Sequence, residues 1–587
     1  MRPTKRLIAL GLASVLLAAC GHKDKDAPLA FVPADTPYVM ANLDKLDDDA
    51  YEAIVSQANT ELPGQVAQMK SLAQDLEAKG NVDGARLLKA FAAEFDGKTA
   101  EAALKNMGLD IKTGSAIYGL GLSPVARVAL ADPAAWDAFV GRLETAYGKK
   151  LDSADAGGQA YRHVALSDSG LQLVIATVGK QAVVSLLPAD AAQPMIRQAL
   201  GADRPEKNLQ DDGRLADLAK DKGYKDYAGQ LDLVRLLPLV AAGKDPLFST
   251  FLKHQAQQTG EPVPALPPSC TTEASRIAAR VPSISFGYTR LDMHHQEQRV
   301  DVALADDITK AFSGLKVEVP GLGKEADGPF DVSLALPMEQ IRTFFTAQAE
   351  AVAAKPFECP AFASMNDSFA KLGSTMQQAA IPPIGDIRGL RVVLDSFTPA
   401  AAGQQMPKFT GRVLLGTRNP AGLVAMGQAM LGGDFKLTGD GKPTALPQNI
   451  TGMLGMPGWA AMNGQAIVIG VGDGEDAKLD DMLMASTGDA GRLSRMHLNG
   501  DMYRNWVDLM ADKAQSYADA MSQAAGADGT DGADGATDDS AKQASAADRS
   551  KAQFEAMKAQ AARIVQVSGE SHMDEKGLVI SGAVEYK

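Results

Sequence analysis

The sequence predicts an α+β fold: two repeated β-α-β-β-α-β modules with antiparallel sheets and flanking helices, plus a helical hairpin near the C-terminus. Three observations carry that prediction. The chain has 587 residues, beyond the size at which a single core keeps growing. Its apolar residues switch repeatedly between helical spacing and strand alternation, with Gly-bearing turns between the runs. One ordered set of landmarks also occurs twice.

In the first copy, Arg127-Val128-Ala129-Leu130 reads as a strand, and Asp132-Pro133-Ala134 opens a helix through Tyr147. In the second, Arg412-Val413-Leu414-Leu415 precedes Asn419-Pro420-Ala421 and a helix through Leu431. Asp and Asn suit the N-cap because their side-chain oxygens accept from free backbone N–H groups, and Pro suits the first helical turn. Further on, Gly179-Lys180-Gln181-Ala182-Val183-Val184 aligns with Asn463-Gly464-Gln465-Ala466-Ile467-Val468, each a hairpin turn entering a buried strand. Short helices follow near Ala189 to Leu200 and Glu475 to Ala485, then Gly213-Arg214-Leu215 or Gly491-Arg492-Leu493. The copies are expected to end in strands at Gly229 to Leu233 and Asn499 to Met502.

These landmarks assign residues 31–250 and 396–521 to the two modules. Within the first, Asp35 to Leu43 reads as a turn and a strand, and Asp47 to Met107 as mostly amphipathic helix. Residues 251–395 form a cysteine-bearing insert, with a hairpin from Ser283 to Ala305 and a helix from Met338 to Ala354. That helix carries Ile341, Phe344, Phe345 and Val352 at core spacing. The stretch 522–550 holds six acidic residues and no Val, Ile, Leu, Phe, Tyr or Trp, so it is predicted to be a disordered acidic linker. It separates a helix bearing Trp506, Met510, Tyr517 and Met521 from one bearing Phe554, Met557 and Ile564. Residues 551–587 supply that second helix and a closing β-hairpin, Ile564 to Ser568 and Leu578 to Tyr586.

The N-terminus has the parts of an export signal over residues 1–19: basic Arg2, Lys5 and Arg6, a 13-residue apolar run from Leu7 to Ala19, and small residues at its end. The run is short for a membrane span, which needs about 20 apolar residues. Leu17-Ala18-Ala19-Cys20 resembles the lipobox of bacterial lipoproteins. The resemblance implies cleavage before Cys20, diacylglycerol on its thiol and an acyl chain, palmitate in kind, on its freed amine. Gly21 in the second mature position implies the outer membrane, facing the periplasm, by the sorting rule of that group. Gly21 to Ala30 then reads as a polar tether, 20–30 being the lipidated segment, with a reach of at most about 35 Å. No later apolar stretch reaches 18 residues, so the expected membrane partner is reached through the lipid at Cys20 alone. Losing residues 1–19 removes three positive charges and takes the formal charge from −14 to −17. That balance opposes nucleic-acid binding, which needs Lys and Arg against phosphate.

Two further cysteines, Cys270 and Cys359, stand 89 residues apart and are expected to form a disulfide in an oxidising compartment; the alternative is a pair of buried free thiols. Pro33-Ala34-Asp35-Thr36-Pro37-Tyr38-Val39, Val125-Ala126-Arg127-Val128 and Cys359-Pro360 resemble a group of uncharacterised gammaproteobacterial lipoproteins, over most of the mature chain. Those in turn are similar to a wider family of duplicated α+β domains of unknown function in envelope proteins. The resemblance implies fold and address and carries over no catalytic residue.

A search for chemistry assigns no catalytic, cofactor-binding or metal-binding residue. No G-x-S-x-G elbow or H-E-x-x-H pair occurs. Gly470-Val471-Gly472-Asp473-Gly474 has the look of a phosphate loop, but Glu475 stands where the third glycine of a dinucleotide loop belongs and Asp473 would repel a phosphate, so a tight turn is expected. His294-His295, beside Asp292 and Glu297, reads as an exposed hairpin tip, and His163, His254, His497 and His572 are solitary. Asp528 to Asp539 lacks the oxygen spacing of a calcium loop, and no pair stands out among 72 acidic residues. The leading expectation is a non-catalytic, lipid-anchored interaction or scaffold protein of the envelope with a protein partner. The alternative is a carrier or sensor of hydrophobic envelope molecules with a cleft between helices and sheet, suggested by 23 Met residues. An envelope hydrolase without a recognisable motif stands third.

Overall fold

The computed structural model describes residues 24–78, 80–166, 169–263, 266–323, 328–378, 381–399, 408–431, 436–527 and 554–587. Cys20 and positions 528–550 of the expected acidic linker lie outside the described residues. Ser522 to Ala527, assigned to that linker, instead continue the helix Gly500–Ala527. Gln523, Ala524 and Ala525 are good helix formers, so an existing helix extends into them at little cost.

The described residues fold into a mixed α and β body around one antiparallel sheet of 19 strands. The first ten are β1 (Tyr38–Asn42), β2 (Ser115–Leu120), β3 (Ser123–Ala129), β4 (Asp152–Ala156), β5 (Gln159–Leu166), β6 (Leu171–Val178), β7 (Gln181–Pro188), β8 (Lys225–Asp232), β9 (Ser283–Leu291) and β10 (His295–Ala303). They pair in the order β4-β5-β6-β7-β3-β2-β1-β8-β9-β10. The other nine are β11 (Phe330–Ala335), β12 (Ile387–Thr398), β13 (Lys408–Thr417), β14 (Thr444–Ala445), β15 (Gly458–Met462), β16 (Ala466–Val471), β17 (Arg492–Asn499), β18 (Ile564–Met573) and β19 (Gly577–Tyr586). Their order is β14-β15-β16-β13-β12-β11-β17-β18-β19.

Separate sheets were the expectation; a single sheet is the outcome. The cause is β10 against β19, antiparallel from His295 opposite Glu585 to Ala303 opposite Gly577. Each strand would otherwise present an edge of unpaired N–H and C=O groups, and each covers the other. Residues 251–395, expected as an insert, supply β9, β10, β11 and the start of β12 to the middle of this sheet.

Local chemistry sets the helices in place. Helix α1 (Asp48–Ala78) follows β1, and Val82–Ala93 packs beside it. Helix α2 (Pro133–Tyr147) starts where Asp132 accepts from the N–H groups of Ala134 and Ala135, at 2.9 and 3.2 Å, and ends at Gly148 with φ +82°. Its Trp136, Phe139 and Leu143 cover Ile175 and Ala182 of the sheet. On the opposite face, Val39, Tyr118 and Val125 pack against Ile196, Leu200 and Leu215 of the helices Gln193–Leu200 and Arg214–Lys222. In the far part of the sheet, Val393, Leu414 and Val468 pack against Leu479, Met482 and Leu483.

Two landmarks differ from the sequence reading. Gly213 precedes a helix whereas Gly491 precedes β17, so these tripeptides are not structurally equivalent. Asn499 to Met502 is not a strand: β17 stops at Asn499, and Gly500 begins a helix. The Asn499 side chain accepts from the N–H of Met502 at 2.8 Å, which is N-cap geometry.

Candidate functional site

In antiparallel pairs, residues directly opposite each other share a face of the sheet. Following the register from β2 to β19 gives a row Ile117, Met40, Gly229, Phe286, Val300 and Ile580. Ile117, Met40, Phe286 and Ile580 are each 38–43 % exposed. Beyond the Ser571–Ser494 pair the row resumes at Leu334, Leu390 and Leu415, and beside it runs Met496, Val332, Val392, Val413 and Ile469. An apolar sheet face is thus left partly open across both parts of the molecule. Large apolar side chains at this exposure on adjacent strands are unusual and mark contact surfaces.

Helix α1 turns part of this face into a cleft of about 360 Å³. Its residues Ile54, Gln57, Ala58, Glu61 and Gln65 recur at helical spacing and point one stripe at the sheet. The sheet side is Met40, Phe286 and Val300, closed toward one end by Tyr227 and Tyr288. Phe286 lies across Gly229: a Cβ there would stand 2.3 Å from its ring, so only glycine admits this arrangement. Burial raises the phenols of Tyr227 and Tyr288, and their hydroxyls are met by Ser115 and Asn42 in one case and Gln298 in the other. Both therefore stay neutral at physiological pH.

Charge is sparse here. Glu61 accepts from the amides of Gln57 at 2.8 Å and Gln65 at 3.4 Å. Arg299 is spent on Asp301, with bonds of 2.9 and 2.8 Å. Arg563 shares a small adjoining hollow with Gln57 and Glu61 and donates to Thr60 Oγ1 at 3.2 Å.

A second cavity, about 550 Å³, lies near the start of the chain between Phe31, Thr36, Tyr118, Asp203 and Arg235. Residues 24–30 of the segment expected as a polar tether are held here. Gln210 donates to the Asp24 carbonyl, Arg204 pairs with Asp26 at 2.8 Å, and Phe31 is buried between the guanidinium groups of Arg127 and Arg204, at 4.0 and 4.3 Å. Arg127 is itself buried, and its bonds go to Tyr118, Gln181 and the Ala199 carbonyl. Residues Pro28, Leu29 and Phe31 are the sequence signal for this docking.

Cys270 and Cys359 are joined by a disulfide. His294 and His295 form the tip between β9 and β10, where Asp292 accepts from both backbone N–H groups and from the His295 ring at 3.0 Å. Burial alone would raise the Asp292 carboxyl, but these bonds and Arg290 outweigh it and hold it down at about 2. The Gly470 to Gly474 turn buries Glu475, which accepts from Arg412 at 2.6 Å and Lys478 at 3.0 Å, with Asp395 on the same guanidinium. That carboxylate pair escaped the sequence reading because its members lie 80 positions apart. Among the described residues, no group of three or more His, Cys, Asp or Glu converges as a metal site. Among them, too, no helix is long and apolar enough to cross a membrane. No family model, curated protein or solved structure matches the chain.

Proposed function

We propose that this chain is a lipid-anchored protein of the cell envelope, held through Cys20 and facing the periplasm, that binds an apolar envelope molecule and performs no chemistry on it. The apolar cleft beneath α1 carries the reading, because a 360 Å³ hollow lies within the size range of small-molecule sites, roughly 300–1,000 Å³. The scaffold role expected from the sequence is the second reading. It is favoured by the open face bearing Leu334, Met496, Val413 and Ile469, which has the character of a protein contact surface.

Duplication belongs to the same proposal. Read inward from the outer edges, β5-β6-β7-β3-β2-β1-β8-β9-β10 and β14-β15-β16-β13-β12-β11-β17-β18-β19 follow one plan, with β4 as an addition. The two halves then meet through their last strands. The C-terminal helical hairpin is supported by Lys558 against Asp508 at 3.3 Å and by Arg504 donating to the Ala561 carbonyl.

Anchoring gains a geometric consequence. With Asp24 bonded to the body, the chain from Cys20 to Asp24 can span at most about 14 Å. The body then lies against the membrane surface. The protein purified from envelopes is expected to incorporate labelled palmitate and to yield, on organic extraction, a non-covalent apolar molecule at near one per chain. Cys20→Ala should abolish labelling and membrane sedimentation. Labelling that persists in Cys20→Ala overturns the anchor, and an extract empty of such molecules counts against the binding role.

A further inference from the structure

Resting on that reading, we infer that the cleft beneath α1 takes a single aliphatic chain of about twelve carbons whose head is neutral or cationic rather than anionic.

Length follows from the sheet. The floor runs from Met40 on β1 across Gly229 and Phe286 to Val300 on β10, three strand spacings or about 14 Å, the extended length of a chain of about a dozen carbons. Gly229 contributes because it lets the Phe286 ring lie flat, so the floor stays low where a larger side chain would lift the ring into the cleft.

Head preference follows from charge. Ile54 and Ala58 face the chain, while Gln57, Glu61 and Gln65 stand on the same stripe of α1 and offer amides and one carboxylate. The Glu61 partners are neutral amides, and among the described residues no Lys, Arg or His forms an ion pair with it. The nearest guanidinium groups are bonded to other partners, Arg299 to Asp301 and Arg563 to the Ser56 carbonyl and the Thr60 hydroxyl. An ammonium or hydroxyl head gains from Glu61; a carboxylate head is repelled.

The test uses the full mature chain with Cys20→Ser and the neutral fluorescent probe N-phenyl-1-naphthylamine, displaced in turn by dodecylamine, dodecanol and dodecanoate. One saturable site is expected, with dodecylamine about fivefold tighter than dodecanoate, a difference that Glu61→Gln removes. Ala58→Trp should weaken probe binding at least about tenfold, with Ala58→Leu moving the same way by less, while Val413→Asp on the open row leaves it unchanged. Circular dichroism and melting establish that each variant is folded. Binding kept in folded Ala58→Trp and Ala58→Leu but lost in Val413→Asp overturns the cleft and leaves the binding role standing elsewhere on the sheet. Dodecanoate binding as tightly as dodecylamine overturns the head preference. No saturable binding to the parent chain overturns the binding role itself.

Discussion

Replacing Asp331 by Asn is expected to destabilise the second half of the sheet by about 3–5 kcal/mol, seen as a lower urea midpoint with unchanged slope. Asp331 on β11 is fully buried, and both its oxygens are engaged: Arg391 donates to them at 3.1 and 2.8 Å, and Arg495 to one at 2.9 Å. The two guanidinium groups come from the strands flanking β11, and Arg495 also donates to the Gly321 carbonyl at 2.7 Å. Gly321 is a necessity there. Its φ is +90°, and a Cβ would stand 2.2 Å from Arg391 Nη1. Removing the carboxylate charge leaves two buried cations facing each other, which costs far more than the intact cluster is worth over apolar side chains. A triple change, Asp331→Leu with Arg391→Met and Arg495→Met, should therefore recover most of the loss. A shift below about 1 kcal/mol for Asp331→Asn would mean that the cluster is wet and weakly coupled.

Reduction of Cys270–Cys359 is the second large effect. The bond closes a separation of 89 residues and ties the helix Pro268–Ala278 to the pair Met338–Ala354 and Ala363–Gln378. On the chain-entropy model such a loop contributes about 4–5 kcal/mol. The bond matters more because those paired helices contain no fully buried residue. Besides the bond they are held by a small cluster with Ala241, Ala274 and Phe362, by the buried Glu273 carboxylate, which accepts from the N–H groups of Glu358 and Cys359 at 2.7 and 3.1 Å, by Phe344 against Phe312, and by Arg418 on Glu339 at 2.7 Å. Cys270→Ser with Cys359→Ser should lower the urea midpoint and raise hydrogen exchange across 338–378 first, with the central sheet following only at higher urea. Equal exchange in oxidised and reduced protein would show that the helix pair is held by packing alone.

Much of the fold could be read from residue order because its signals are local. Asp132-Pro133 and Asn419-Pro420 cap helices, and both helices form where those pairs stand. The Gly179 turn, at φ +57°, leads into β7. What escaped reading was long-range register. Nothing in His295 to Ala303 or Gly577 to Tyr586 names the other strand as its partner, since both alternate like any half-buried strand. The cleft was legible by half. Ile54, Ala58 and Glu61 mark one stripe of a helix, yet Met40, Phe286 and Val300 come together only through β8 and β9. Asn499 could have been read correctly, because Asn before Gly500-Asp501 is an N-cap signal as much as a strand end.

The most direct measurement is photo-crosslinking in intact envelopes with a dodecylamine carrying a diazirine at its chain end, followed by mapping of the labelled residues. Binding beneath α1 places the labels on residues 53–61 and 283–291, with Ala58→Trp removing both. Labels confined to 330–335, 408–417 and 466–471, or none above background, would contradict a ligand site in this cleft.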